Sequence, residues 1–384
     1  MDSKNTFDDT LGLPLNRVVK FYLCVTGHWV SYGQEPPPKR LKYGRIFGLF
    51  ICSFVCFMGF TTLNAVKISV DAKNLGAIGN GLVILSTAIS MLHKYSIYIS
   101  QEEGISRLTE WMKSVEKRNR ELKLERSPSE VFLRKSLRIF CYGALLSPWM
   151  LIVGPLVRGE PYCHRFPFLS DHVQKLITLP LVVITYNVLS WEVAFTATSL
   201  LNILVTFRTE VQRLGVEWKE IKFDPSRPRE FSEKVKANVE KHVQLCKILK
   251  DLKLLNNSMF GYQVFAAILT TCAVIYGGSK YENFIVESTS QVLPVSSASL
   301  LEFALICWLG EEITFGLQEF HRDVHLTNWY EAPYDALTSL TIVLEFSKNP
   351  IQLTGFTVFT ASLRTLIETM RQSFSLYTLL KALT

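Results

Sequence analysis

The chain has 384 residues, of which 48% are hydrophobic, 12% aromatic and 20% charged, with a net charge of +7 and a mean hydropathy of +0.19. Long apolar runs alternate with short, dense charged segments. That pattern excludes a soluble two-domain protein and predicts an all-α membrane protein of several spans. Gly-rich phosphate loops and nucleophile elbows are absent from the sequence. The basic segments lack the interleaved aromatics of a nucleic-acid surface, so neither an enzyme nor a nucleic-acid binder is expected, and no cofactor or metal is implied.

Residues 1–45 form a mixed segment ending in Pro36-Pro37-Pro38-Lys39-Arg40. It lacks the basic start, apolar core and small-residue cleavage site of a secretory leader, so a cytoplasmic N-terminus is expected. The first span, S1, is Ile46 to Val66, and S2 is Leu75 to about Ser100. Residues 101–136 are charged and helix-friendly, with Pro128 as their breaker. S3 runs from Leu137 to Val157 through Pro148 and Pro155, and S4 from Leu176 to about Phe207, then directly into charged helical sequence. Residues 46–207 thus hold S1–S4. Residues 208–253 form a second basic segment broken near Pro225 and Pro228. S5 (Leu254 to Gly277) and S6 (about Val292 to Leu317) occupy 254–317. Within 318–349, the stretch Ala336–Phe346 is apolar but too short to cross. The last segment, 350–384, runs without proline after Pro350 as S7.

Lysines and arginines orient these seven crossings. Of the 41, thirty-one fall in 1–45, 101–138, 208–253 and 318–349, and six in the intervening loops. The excess marks the cytoplasmic side, placing the N-terminus inside and the C-terminus outside. The sequon Asn256-Asn257-Ser258 lies at the inner end of S5, out of reach of glycosylation. An inside N-terminus, with no acidic-Arg-aromatic triplet ending S3, argues against a G-protein-coupled receptor. Of eight cysteines, only Cys163 falls in an expected outer loop, so no disulfide framework is predicted.

Three features bear on chemistry. In S7, Arg364, Glu368, Arg371, Ser375 and Thr378 share one helical face. Either these charges sit among headgroups, or the helix has one face on protein and one on water, as a pore requires. Glu192 in S4 and Glu302 in S6 are intramembrane acids. They stand beside a ligand pocket or ion vestibule, or they are protonated and hydrogen-bonded to a neighbouring helix. The outer halves of S2, S3, S4 and S6 offer room for a small, weakly polar ligand lined by Ser147, Trp149, Ile152, Val183, Tyr186, Ser190, Ser296, Ser297 and Phe303, residue types that also serve as ordinary helix packing. His321 and His325 have helical metal-ligand spacing but no third ligand nearby.

The motifs Trp329-Tyr330-Glu331-Ala332-Pro333, Asn349-Pro350, Leu353-Thr354-Gly355 and Ser375-Leu376-Tyr377-Thr378-Leu379-Leu380-Lys381 closely resemble the insect odorant receptors. The resemblance implies an odorant-gated, non-selective cation channel in the plasma membrane of an olfactory neuron. It would be a heterotetramer with an olfactory co-receptor and would require no G protein. It further implies that S7 lines the pore, with a hydrophobic gate at Leu379 and Leu383, Ala382 between them, and Thr378 and Ser375 further inward. Subunits would meet at a cytoplasmic anchor carrying Trp329, Tyr330, Pro350, Thr354 and Gly355. Ala382, where the co-receptor has a polar amide, and the absence of its long S4–S5 insertion imply a ligand-tuning subunit. Gustatory receptors share the fold but carry Thr-Tyr and Gln-Phe where this chain has Thr354-Gly355 and Gln372-Ser373. A proton-coupled transporter using Glu192 and Glu302 is the remaining alternative.

Overall fold

The computed structural model describes residues 75–124, 127–158, 171–223, 226–280, 293–327 and 329–383, with isolated positions between 56 and 63; the N-terminal segment and almost all of S1 lie outside the described residues. The described chain is helical apart from one small hairpin. α1 (Leu75–Ser100) is the apolar helix expected as S2, with the same limits. α2 (Glu102–Glu121) opens on Glu102 and Glu103 and ends with Arg118 and Arg120, charges that suit the two ends of its dipole. Its buried Ile105, Leu108, Trp111, Met112 and Val115 recur every three or four residues, giving one core-facing stripe.

α3 (Pro128–Arg158) starts where proline costs nothing, at the first helical position. The Ser127 hydroxyl just before it accepts the Glu130 N–H at 3.2 Å. α4 (Asp171–Glu220) has 50 residues and α5 (Pro228–Lys280) has 53. At 1.5 Å per residue these are about 75–80 Å long, more than twice the ~30 Å of bilayer hydrocarbon. Among the described residues, Pro228–Tyr276 is the helix long and apolar enough to cross a membrane by length and composition. α6 (Leu293–His325) follows, then a 3-10 turn (Trp329–Glu331) and α7 (Tyr334–Ser347), which contains the short apolar stretch 336–346.

The core sits where α2–α7 converge, around fully buried Leu108, Leu137, Leu201, Leu204, Phe207, Trp218, Leu252, Phe260 and Phe303. Among the described residues, the charged side chains buried in this bundle meet opposite charges. Arg134 joins Glu130 at 2.9 Å and Glu116 at 3.1 Å, Arg208 joins Glu312 at 2.7 Å, and Lys219 joins Asp323 at 3.1 Å. Arg118 and Arg213 both meet Glu210. The basic residues that the sequence assigns to the cytoplasmic side therefore tie α2, α3, α4 and α6 to one another.

The last segment departs from a single helix. β1 (Thr354–Gly355) and β2 (Phe359–Thr360) pair antiparallel, and only then does α8 (Leu363–Leu383) begin. The hairpin turn holds Phe356 and Thr357 at φ of 48° and 61°, which side chains with a Cβ rarely adopt. Asn257 of α5 holds that turn. Its carbonyl accepts the Phe356 N–H at 2.9 Å, and its side-chain oxygen accepts the Thr357 N–H at 2.8 Å. The approach requires glycine at 355 and leaves little room at 261. A Cβ on Gly355 falls 2.5 Å from the Gly261 backbone nitrogen, and one on Gly261 falls 2.5 Å from the Phe356 ring.

These clashes differ in kind, because a ring can swing away and a helix backbone cannot. Gly355→Ala is expected to cost about 1–3 kcal/mol, and Gly261→Ala less. Adding Phe356→Ala should rescue Gly261→Ala but not Gly355→Ala. Thermal unfolding of the solubilised protein, compared across the four variants, checks the order.

Candidate functional site

α8 presents two distinct faces. Thr365, Thr369, Ser373 and Tyr377, at steps of four, are buried against α5 and α6. Small side chains let backbones approach closely, which suits helix contacts in lipid. The Ser373 hydroxyl donates to the Thr369 carbonyl at 2.8 Å, so its burial leaves no donor unmet. Tyr377 packs with Cys272 and Tyr276 of α5. The four-residue repeat of this hydroxyl stripe is visible in the sequence, on the side of the helix away from the charged stripe.

The opposite face holds Arg364, Glu368, Arg371, Ser375 and Thr378, all exposed. Arg364 pairs with Glu368 at 2.9 Å along the surface, with both side chains more than half exposed. Leu379, at 57% exposure, and Ala382 continue the uncovered face. The Leu383 side chain lies outside the described residues.

The start of α8 is fixed from outside. The Leu363 N–H, the first of the helix, donates to the Glu311 carboxylate of α6 at 2.7 Å. The Ser362 hydroxyl accepts the Thr365 N–H at 3.3 Å, and the Thr365 hydroxyl donates to the Thr360 carbonyl at 2.6 Å. One carboxylate and one hydroxyl thus meet N–H groups left without helical partners, at the positive end of the dipole. Just before the hairpin joins α8, the Ala361 N–H donates to the Leu353 carbonyl at 2.8 Å. Nearby, a Cβ on Gly310 of α6 falls 2.5 Å from the Ala361 carbonyl oxygen.

Glu302 has a partner that the sequence did not suggest. The Lys94 ammonium of α1 contacts both of its oxygens, at 2.5 and 2.7 Å, and the two side chains are 6% and 3% exposed. The Gln263 amide of α5 donates to the Ser299 carbonyl at 3.2 Å and reaches Glu302 at 3.5 Å. Three helices therefore share one charge pair. Neither expectation for Glu302, a pocket-side acid or a protonated one, included this ion pair. Lys94 lies on the helix expected as S2, where an isolated ammonium would be costly, and that cost was the signal for a carboxylate partner. The Glu192 side chain lies outside the described residues.

Of the expected ligand-lining residues, Ser147, Ile152, Tyr186 and Ser190 have side chains outside the described set. Trp149 is 53% exposed and shares an outward stripe of α3 with Phe132, Ile139, Tyr142 and Leu146. Val183 is half-buried, Ser297 is exposed and Ser296 is buried. Phe303 is fully buried, its ring stacked on Phe260 at 5.7 Å, so it packs α6 on α5. The structure does not gather these residues into one described cavity. At the anchor, Tyr330 is exposed, Pro350 and Thr354 are half-buried and Gly355 is buried. The Trp329 side chain lies outside the described residues. His321 accepts or donates a 2.8 Å hydrogen bond with Ser347, tying α6 to α7. No cluster of three metal-binding side chains occurs among the described residues. Asn256, the sequon's acceptor, is fully buried.

Removing one member of a buried pair strands the other. Lys94→Met or Glu302→Leu alone should therefore cost about 3–5 kcal/mol, and the double replacement should recover most of it. Surface abundance and thermal unfolding of the three variants provide the check.

Comparison with known proteins agrees with this architecture. A family model described as 7tm Odorant receptor matches residues 74–374. Odorant receptor 82a of Drosophila melanogaster is 24% identical over 265 residues, covering 64% of this chain and 67% of that protein. The fold is similar to that of the insect olfactory receptor OR5 from Machilis hrabei. The TM-score is 0.73 both for its complex with eugenol and for a second structure of the receptor, at 14% and 13% identity. The match covers 96% of this chain and 97% or 98% of theirs. With a family match spanning most of its length and a multi-helix fold to suit, the chain is a multi-pass membrane protein that belongs to the insect odorant receptor family.

Proposed function

We propose that this chain is the ligand-tuning subunit of an odorant-gated, non-selective cation channel, assembled with an olfactory co-receptor of the same fold into a heterotetramer. The observation that carries the reading is the division of α8. Its small hydroxyl residues face the protein, while Arg364, Glu368, Arg371, Ser375 and Thr378 stand on the uncovered side. A helix wholly surrounded by lipid would not keep charges there. Around a central axis, that side faces water and ions.

In this reading the chain crosses seven times, with the N-terminus cytoplasmic and the C-terminus outside, in keeping with the excess of basic residues on one side. Spans S1–S4 (46–207) form the sensor, with the odorant between S2, S3, S4 and S6. Residues 208–253 and 318–349, with the inner ends of α4–α6, form the cytoplasmic anchor. Tyr330, Tyr334, Ile342 and Phe346 there are exposed to 52% or more. Such an apolar surface suits a neighbouring subunit. Odorant that binds the open state more tightly than the closed one shifts the population toward it. The ring of Leu379 and Leu383, with Ala382 between, then widens and rewets. The Lys94–Glu302 pair weighs against a proton-coupled transporter, since Glu302 already neutralises a buried ammonium.

Whole-cell recording during a panel of volatiles, with the chain expressed alone and with an olfactory co-receptor, tests the reading. Odorant-evoked cation current is expected from the pair. Leu379→Ala should raise the resting current several-fold at unchanged surface density, and an unchanged leak would remove the gate from this position.

A further inference from the structure

α6 carries three consecutive attachments along one helix. Glu302 is paired with Lys94 of α1. Two turns further inward, Gly310 lies so close to Ala361 that a methyl group there would strike its carbonyl. The next residue, Glu311, accepts the Leu363 N–H at 2.7 Å. Ser296, Ser297 and Phe303 of the expected odorant-binding region belong to the same unbroken helix, Leu293–His325. An unbroken helix transmits displacement along its length, so whatever shifts the outer part of α6 also shifts residues 310 and 311.

We propose that Glu311 is the positioning residue that couples α6 to the pore helix, so that movement of α6 on odorant binding is delivered to the first turn of α8. This rests on the channel reading above. The geometry favours coupling over simple support of α8. The helix already has its own cap, because Ser362 accepts the Thr365 N–H. Its preceding hairpin is held separately by Asn257 of α5. What Glu311 adds is a charge-assisted bond from a different helix to the first peptide of α8, where the positive end of the dipole strengthens it. The neighbouring Gly310–Ala361 contact leaves no gap to absorb a displacement. Asn257 provides a fixed pivot on α5 and Glu311 the moving contact on α6, so α6 displacement tilts α8 about its hairpin.

The test uses the chain co-expressed with the olfactory co-receptor, an odorant that activates the wild-type pair, and currents normalised to surface density. Glu311→Gln keeps an acceptor and should hold the maximal current within about two-fold of wild type. Glu311→Leu should lower it five-fold or more and raise the half-activating concentration, with ion selectivity unchanged. The double variant Glu311→Leu/Ser362→Asp restores a carboxylate at the start of α8 without restoring the link to α6. Coupling predicts that its surface density matches wild type while its current stays low, which also covers a Glu311→Leu protein that fails to reach the membrane. Wild-type current from Glu311→Leu at equal surface density, or full recovery of current on adding Ser362→Asp, would overturn the proposal. Absence of current from the wild-type pair would instead count against the channel reading itself.

Discussion

The backbone contact between Gly355 and Gly261 determines where the functional helix can begin. Without a Cβ on either side, the hairpin settles on α5 closely enough for Asn257 to take both N–H groups of its strained turn. Positive φ at Phe356 and Thr357 costs of order 1 kcal/mol or more per residue and persists only where the surroundings over-determine it. Here two hydrogen bonds and a close glycine contact do so. α8 then leaves the hairpin with its first N–H already committed to Glu311. Its direction, and hence the face it turns away from the bundle, follows from those fixed points.

Beyond the hairpin, the molecule resolves one recurring problem, charge in a low-dielectric interior, in one recurring way. Lys94 with Glu302, Arg134 with Glu116, and Arg208 with Glu312 each link different helices. Such pairs add little net stability compared with apolar packing, but they penalise any arrangement that separates them. They therefore fix the register of long helices whose apolar surfaces alone tolerate sliding. That matters most for α4, about 75 Å long, which Arg208 ties to α6.

The helices were largely legible in the sequence, and their partners were not. The limits of α1, the break between Glu220 and Pro228, and the short apolar helix near 336–346 follow from hydropathy and proline placement, which act locally. The charged stripe of α8 was readable because helical periodicity reports which residues share a face. It does not report what the face meets, so the opposite Thr365–Thr369–Ser373–Tyr377 stripe went unassigned. The hairpin was missed because Thr354–Thr360 contains no polar turn signal, only Gly355, and its left-handed residues are stabilised by Asn257, about a hundred positions away. The partner of Glu302 lay on another helix, out of reach of any spacing rule.

Reaction of introduced cysteines on α8 with a small water-soluble thiol reagent, followed through the odorant-evoked current, tests the central claim most directly. If α8 lines the pore, Ser375→Cys and Thr378→Cys should be modified and should lose current in the open state, while Ser373→Cys, on the buried face, should be unaffected. Unmodified current at 375 and 378, with block at 373, would contradict the assignment of the exposed face to water and with it the account of α8 as the conducting helix.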